Sequence, residues 1–130
     1  MKIKISTLAR LILGLIYFVF GLNGFFHFIP MKQPVLPETA MEYLKGLMAT
    51  GYFMPVLSAT QVFSGFLLLT GFAAPLALVV AAPVTLQIVL FHSFLTPTAK
   101  ELILPIAMAV LHITAATAYW KIYRPLFSRG

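Results

Sequence analysis

Three side-chain types in this sequence could hold or move a proton without a full charge: histidine, asparagine and glutamine. Asn23 and His27 lie one helical turn apart, so a helix puts them on one face. Gln61, Gln87, His92 and His112 follow, each within a long uncharged stretch. Imidazoles and amides at such positions can donate to a ligand carbonyl, accept from a ligand hydroxyl, or bond a neighbouring helix. The last option alone is worth about 0.6 kcal/mol per bond in membrane bundles. Two histidines at one depth, His27 and His92, could also ligate haem, and three could form an open zinc or copper site. No H-x-x-H, H-x₃-H or HExxH spacing supports a metal, and no carboxylate within the stretches could orient the imidazoles. A quinone or similar apolar ring asks for less: one or two polar contacts and aromatic walls. Phe20, Phe26, Phe63, Phe91 and Phe94 are candidates for those walls.

The elements that carry these residues follow from where charge is missing. The chain has 130 residues, 61% hydrophobic and 9% charged, against about 25% charged in soluble domains. So few charges cannot cover a soluble surface, which excludes a cytosolic enzyme and a disordered chain. With no cysteine, thiolate catalysis, a disulfide scaffold and Cys-ligated clusters are excluded too. Residues 11–31, 46–99 and 102–120 contain no Asp, Glu, Lys or Arg. A bilayer core of about 30 Å takes about 20 helical residues. The first and last stretches each fit one span. The middle one fits two, broken at Gly71 and Pro75, where glycine ends a helix and proline opens one. The expectation is an all-α polytopic membrane protein, a single domain over 1–130. Its four transmembrane helices cover roughly 11–29, 53–71, 75–95 and 101–120.

Lys2, Lys4 and Arg10 resemble the start of a signal peptide, but no small-x-small cleavage site closes the first stretch, so it is expected to remain as a span. Both tails are basic: Lys2, Lys4 and Arg10 at one end, Lys121, Arg124 and Arg129 at the other. The connecting segments hold Lys32, Lys45 and Lys100, offset by Glu38, Glu42 and Glu101. The whole net charge of +6 therefore belongs to the tails. By the positive-inside rule both termini are cytoplasmic in an inner (plasma) membrane. The basic balance then needs no nucleic acid; the lipid bilayer is its partner.

Tyr119, Trp120 and Tyr123 predict an aromatic belt at the inner end of the last span, and Thr98 with Glu101 predicts its N-cap. In the outer loop 30–51, Ala40, Met41, Leu44, Leu47 and Met48 recur at helical spacing, predicting a short interfacial helix poised as a lid. Gly14, Gly21 and Gly24 on span 1, and Ser58 and Gly65 on span 2, form small-residue stripes that let helices pack closely. Pro83 and Pro105 are expected to kink spans 3 and 4. With spans 1 and 3 running outward, all six polar residues are expected to meet in the outer half of one bundle, with His112 nearest the middle.

Several segments together resemble a known family. Gly14, then Phe20-Gly21-Leu22-Asn23-Gly24-Phe25-Phe26-His27-Phe28, is similar to the first helix of DoxX-like proteins. Ser64 to Gly71 resembles their second helix. Pro75 to Pro83, with Leu90-Phe91-His92 and Pro97, resembles their third, and Tyr123 to Phe127 their closing tail. The resemblance covers nearly the whole chain and implies a four-helix bacterial inner-membrane protein associated with quinone-linked redox chemistry. Relatives often carry an acid shortly before the second-helix glycine, where this chain has Gln61. The functional expectation is thus a small subunit or accessory factor of membrane redox chemistry, with a polar pocket and a redox-protein partner. A non-enzymatic assembly partner, or a solute- or lipid-binding transporter-like bundle, are the alternatives.

Overall fold

In an apolar surrounding every backbone N–H and C=O must be satisfied within its own segment, and a long uncharged run does this as a helix. The computed structural model describes residues 4–26, 37–96 and 98–128, and among these all regular structure is helical. The elements are α1 (Ile5–Phe26), α2 (Glu38–Ala49), α3 (Phe53–Thr70), α4 (Ala74–Leu95), α5 (Ala99–Thr117) and α6 (Trp120–Tyr123), closed by a 3-10 turn, Arg124–Phe127. Helices α1, α3, α4 and α5 are each long and apolar enough to cross a membrane. At about 1.5 Å per residue, the 22 residues of α1 rise about 33 Å. Large apolar side chains such as Leu15, Phe66, Leu86 and Ile113 are exposed on all four, as lipid contact requires. The chain is a small multi-pass integral membrane protein.

The boundaries depart from expectation for local reasons. Helix α1 begins at Ile5 rather than at 11, because Arg10 interrupts hydrophobicity but not backbone hydrogen bonding. Helix α5 begins at Ala99, where the Thr98 hydroxyl accepts from the Glu101 N–H at 3.4 Å. It ends at Thr117, before the predicted 120, and the chain turns into α6, an element the charge pattern did not announce. The break between α3 and α4 is as predicted: Gly71 caps α3 at φ 80°, and Pro75 lies in the first turn of α4. Helix α4 continues through Pro83 and α5 through Pro105. The helix expected between the first two spans is α2. Thr50 couples it to α3, donating to the Leu47 carbonyl at 2.7 Å and accepting from the Phe53 N–H at 3.1 Å.

The four long helices form a ring in the order α1, α3, α4, α5, with α5 closing against α1. The α1–α3 side is the tightest. A Cβ on Gly21 would lie 2.7 Å from the Val62 nitrogen, and one on Gly14 would lie 2.8 Å from the Leu68 Cβ. A Cβ on Gly65 would meet the Gly14 carbonyl at 2.7 Å. The stripes predicted from sequence therefore face each other, and the backbones approach where side chains are smallest. The packed core occupies only one half of the bundle. Ala9, Leu13 and Tyr17 of α1, Leu67 and Leu68 of α3, Ala74, Ala77, Leu78 and Ala81 of α4, and Met108 and Ala115 of α5 cluster there. The other half, under α2, holds a cavity.

Candidate functional site

Helix α2 lies across the first turns of α3 and the last turns of α4 and roofs a cavity of about 430 Å³. Its inward stripe is Tyr43, Leu44 and Leu47, with Ala40 fully buried behind them. Phe53, Leu57 and Gln61 of α3 form one wall, and Val84, Gln87, Ile88, Phe91 and His92 of α4 the other. Pro83 also lines it. The volume falls in the range of small-molecule sites, roughly 300–1,000 Å³, and so does the chemistry: mostly hydrocarbon and aromatic, with a few polar atoms.

Those polar atoms are ordered. The Gln87 amide donates through Nε2 to the Tyr43 hydroxyl at 3.0 Å, tying α2 to α4. A hydroxyl that accepts keeps its own proton to give. His92 Nδ1 lies 2.7 Å from the Ile88 carbonyl, which can only accept, so Nδ1 carries the proton. In the neutral ring Nε2 is then an acceptor. The Phe91 ring stands between, 5.6 Å from Tyr43 and 5.2 Å edge-on from His92. The cavity therefore offers a hydroxyl donor from α2, an acceptor from α4, and the Gln61 amide from α3.

Three of the six candidates, Gln61, Gln87 and His92, share this cavity. Asn23 is buried on α1, beside Gly24 where α1 packs on Ser58, and is not among the cavity walls. His27 lies outside the described residues, and with it the expected His27–His92 pair. His112 sits elsewhere, in the half of the bundle away from α2. Its Nε2 donates to the Leu78 carbonyl at 2.9 Å, and its Nδ1 lies 2.9 Å from the Thr85 hydroxyl. Thr85 in turn bonds the Tyr17 hydroxyl. The proton positions follow in sequence. Leu78 O only accepts, so Nε2 holds the hydrogen and Nδ1 of the neutral ring accepts. Thr85 then donates to Nδ1, and Tyr17 must donate to Thr85. Helices α1 and α4 face each other diagonally, so this chain pins the bundle through its centre. The five described candidates do not form one cluster, because equal depth on a helix says nothing about which way it is rotated.

Among the proposed aromatic walls only Phe91 lines the cavity. Phe63 lines a separate groove with Phe18, Phe25 and Phe66, and Phe94 is 77% exposed. Tyr43 and Phe53 were missed. A signal for Tyr43 was present: Ala40, Tyr43, Leu44 and Leu47 recur at i, i+3, i+4 and i+7, a better helical stripe than one that includes Met48. Met48 is exposed. Among the described residues no three His, Cys, Asp or Glu side chains gather to hold a metal ion. Compared with known proteins, the chain matches no family model, no curated protein and no solved structure.

Proposed function

We propose that the cavity under α2 binds a quinone or quinol ring, and that the protein is a small accessory subunit of quinone-linked redox chemistry. What supports this is the pairing of one donor and one acceptor across an aromatic slot. Tyr43 O–H can donate to a quinone carbonyl, and His92 Nε2 can accept a quinol hydroxyl. Phe53 and Phe91 offer faces against which a flat ring stacks. When a quinol is oxidised it loses two electrons and two protons. One proton passes to His92 Nε2, the other to water at the outer face of the membrane, and the two electrons to a redox protein docked against the chain. The likeness of the helices to DoxX-like proteins points the same way. Both termini lie in the cytoplasm of an inner-membrane protein, since Lys4, Arg10, Lys121 and Arg124 stand at the end opposite Glu38, Glu42 and Glu101. The site then opens on the outer side, beneath its lid.

The test is quinone retention. Full-length protein in lipid nanodiscs is equilibrated with decylubiquinone, and bound quinone is quantified after extraction. Wild type binds one equivalent, and His92→Leu and Gln61→Leu each weaken binding by about tenfold or more, as loss of a hydrogen bond in a dry site requires. Equal binding by wild type and both variants, or no binding at all, overturns the assignment. A reporter fused at Gly130 that reads as external overturns the orientation alone.

A further inference from the structure

A second cavity, of about 420 Å³, lies at the end of the bundle away from α2. Its walls are hydrocarbon from α4 and α5, among them Leu78, Val79, Ala82, Ile113 and Ala116. Its mouth is built by the C-terminal segment. Trp120 stacks on Phe127 at 5.9 Å, and the Tyr123 hydroxyl donates to the Pro75 carbonyl at 2.6 Å, so the segment is held against the start of α4. Lys121 and Arg124 are exposed on that same segment. The Arg10 guanidinium lies against Gly71 at the same end, and the acids Glu38, Glu42 and Glu101 all lie at the other. A hydrocarbon groove that ends at aromatic rings and uncompensated cations matches a molecule with an apolar tail and an anionic head.

We infer that this groove is a binding site for an anionic phospholipid, with one acyl chain between α4 and α5 and the phosphate at Lys121 and Arg124. A zwitterionic lipid fills the groove equally well, but its own cation cancels the attraction at the head. Selectivity therefore resides in the two basic side chains, and chain retention in the groove.

Native mass spectrometry of the detergent-solubilised full chain tests this with dioleoyl phosphatidylglycerol and dioleoyl phosphatidylcholine. Wild type is expected to retain the anionic lipid about 30-fold better, the equivalent of about 1 kcal/mol for each basic residue. Lys121→Gln with Arg124→Gln should bring the two lipids to parity. Ala82→Trp, at an exposed position on the groove wall, should reduce retention of both while helical content by circular dichroism stays unchanged. Glycerol phosphate, the head without chains, should not compete. Equal retention of the two lipids by wild type, an undiminished preference in the double variant, or displacement by glycerol phosphate would overturn the proposal.

Discussion

Replacing Thr85 with valine keeps the shape of the side chain and removes the hydroxyl at the centre of the Tyr17–Thr85–His112 chain. Tyr17 is 1% exposed, so its O–H has no route to water, and His112 Nδ1 is likewise buried. The substitution breaks two bonds and leaves one donor and one acceptor unsatisfied. Each buried orphan costs about 1–3 kcal/mol, whereas interhelical bonds in bilayers average about 0.6 kcal/mol because broken partners often find substitutes. Tyr17 and Leu78, whose carbonyl accepts from His112, belong to the buried apolar core of this half of the bundle. The expected loss for Thr85→Val is therefore about 2–4 kcal/mol. Tyr17→Phe removes only a donor. Thr85 still donates to Nδ1, and what is lost is one acceptor lone pair, so the cost is about 1 kcal/mol or less. Thr85→Ser, which keeps the hydroxyl, should stay closer to wild type than valine. Reversible SDS unfolding in mixed micelles, followed by far-ultraviolet circular dichroism, measures all three. If Tyr17→Phe costs as much as Thr85→Val, the deduced direction of the protons is wrong. If Thr85→Val costs less than about 0.5 kcal/mol, the chain does not pin the bundle.

Further outcomes follow from the geometry. Gly65→Ala places a methyl on the Gly14 carbonyl and the Phe18 backbone and should cost about 1–3 kcal/mol in the same assay. Gly46→Ala on α2, which meets nothing, should stabilise by up to about 1 kcal/mol. Tyr43→Phe removes the acceptor for Gln87 and should raise hydrogen exchange in α2 without altering exchange in α5. Tyr123, on the C-terminal segment, has its hydroxyl pushed above the ordinary 10.0, first by burial and then by the neighbouring Tyr119. Since the folded value is the higher, its stabilisation is complete below pH 10 and lost as pH rises through the folded value. Ultraviolet phenolate titration of wild type against Tyr123→Phe should show a component ionising above pH 10 that the variant lacks.

The architecture was legible in the sequence because it depends on one-dimensional quantities. The length of a charge-free run sets the number of spans, and Gly71 and Pro75 divide the middle run because their backbone preferences are local. The Thr98 cap, the helix between spans 1 and 2, and the small-residue stripes of Gly14 and Gly21 and of Ser58 and Gly65 follow from spacing in the same way, while packing set the two stripes against each other. Helix ends were less legible where a charged residue such as Arg10 continues the helix, since hydrophobicity and hydrogen bonding stop at different places. Sequence could assign depth to Gln61, Gln87, His92 and His112, because depth counts residues along an axis. It could not assign rotation, because in a helix exposed to lipid on one side and packed on another both faces are apolar. Only tertiary packing turned His92 and Gln87 toward α2 and His112 toward Thr85 and Leu78, and only packing chose Tyr43 and Phe53 as walls over Phe63 and Phe94. The tight core of one half and the cavity of the other also arose there. Alanines on α4 let its first half close against α3 and α5, while Pro83, Gln87 and Phe91 hold the second half apart.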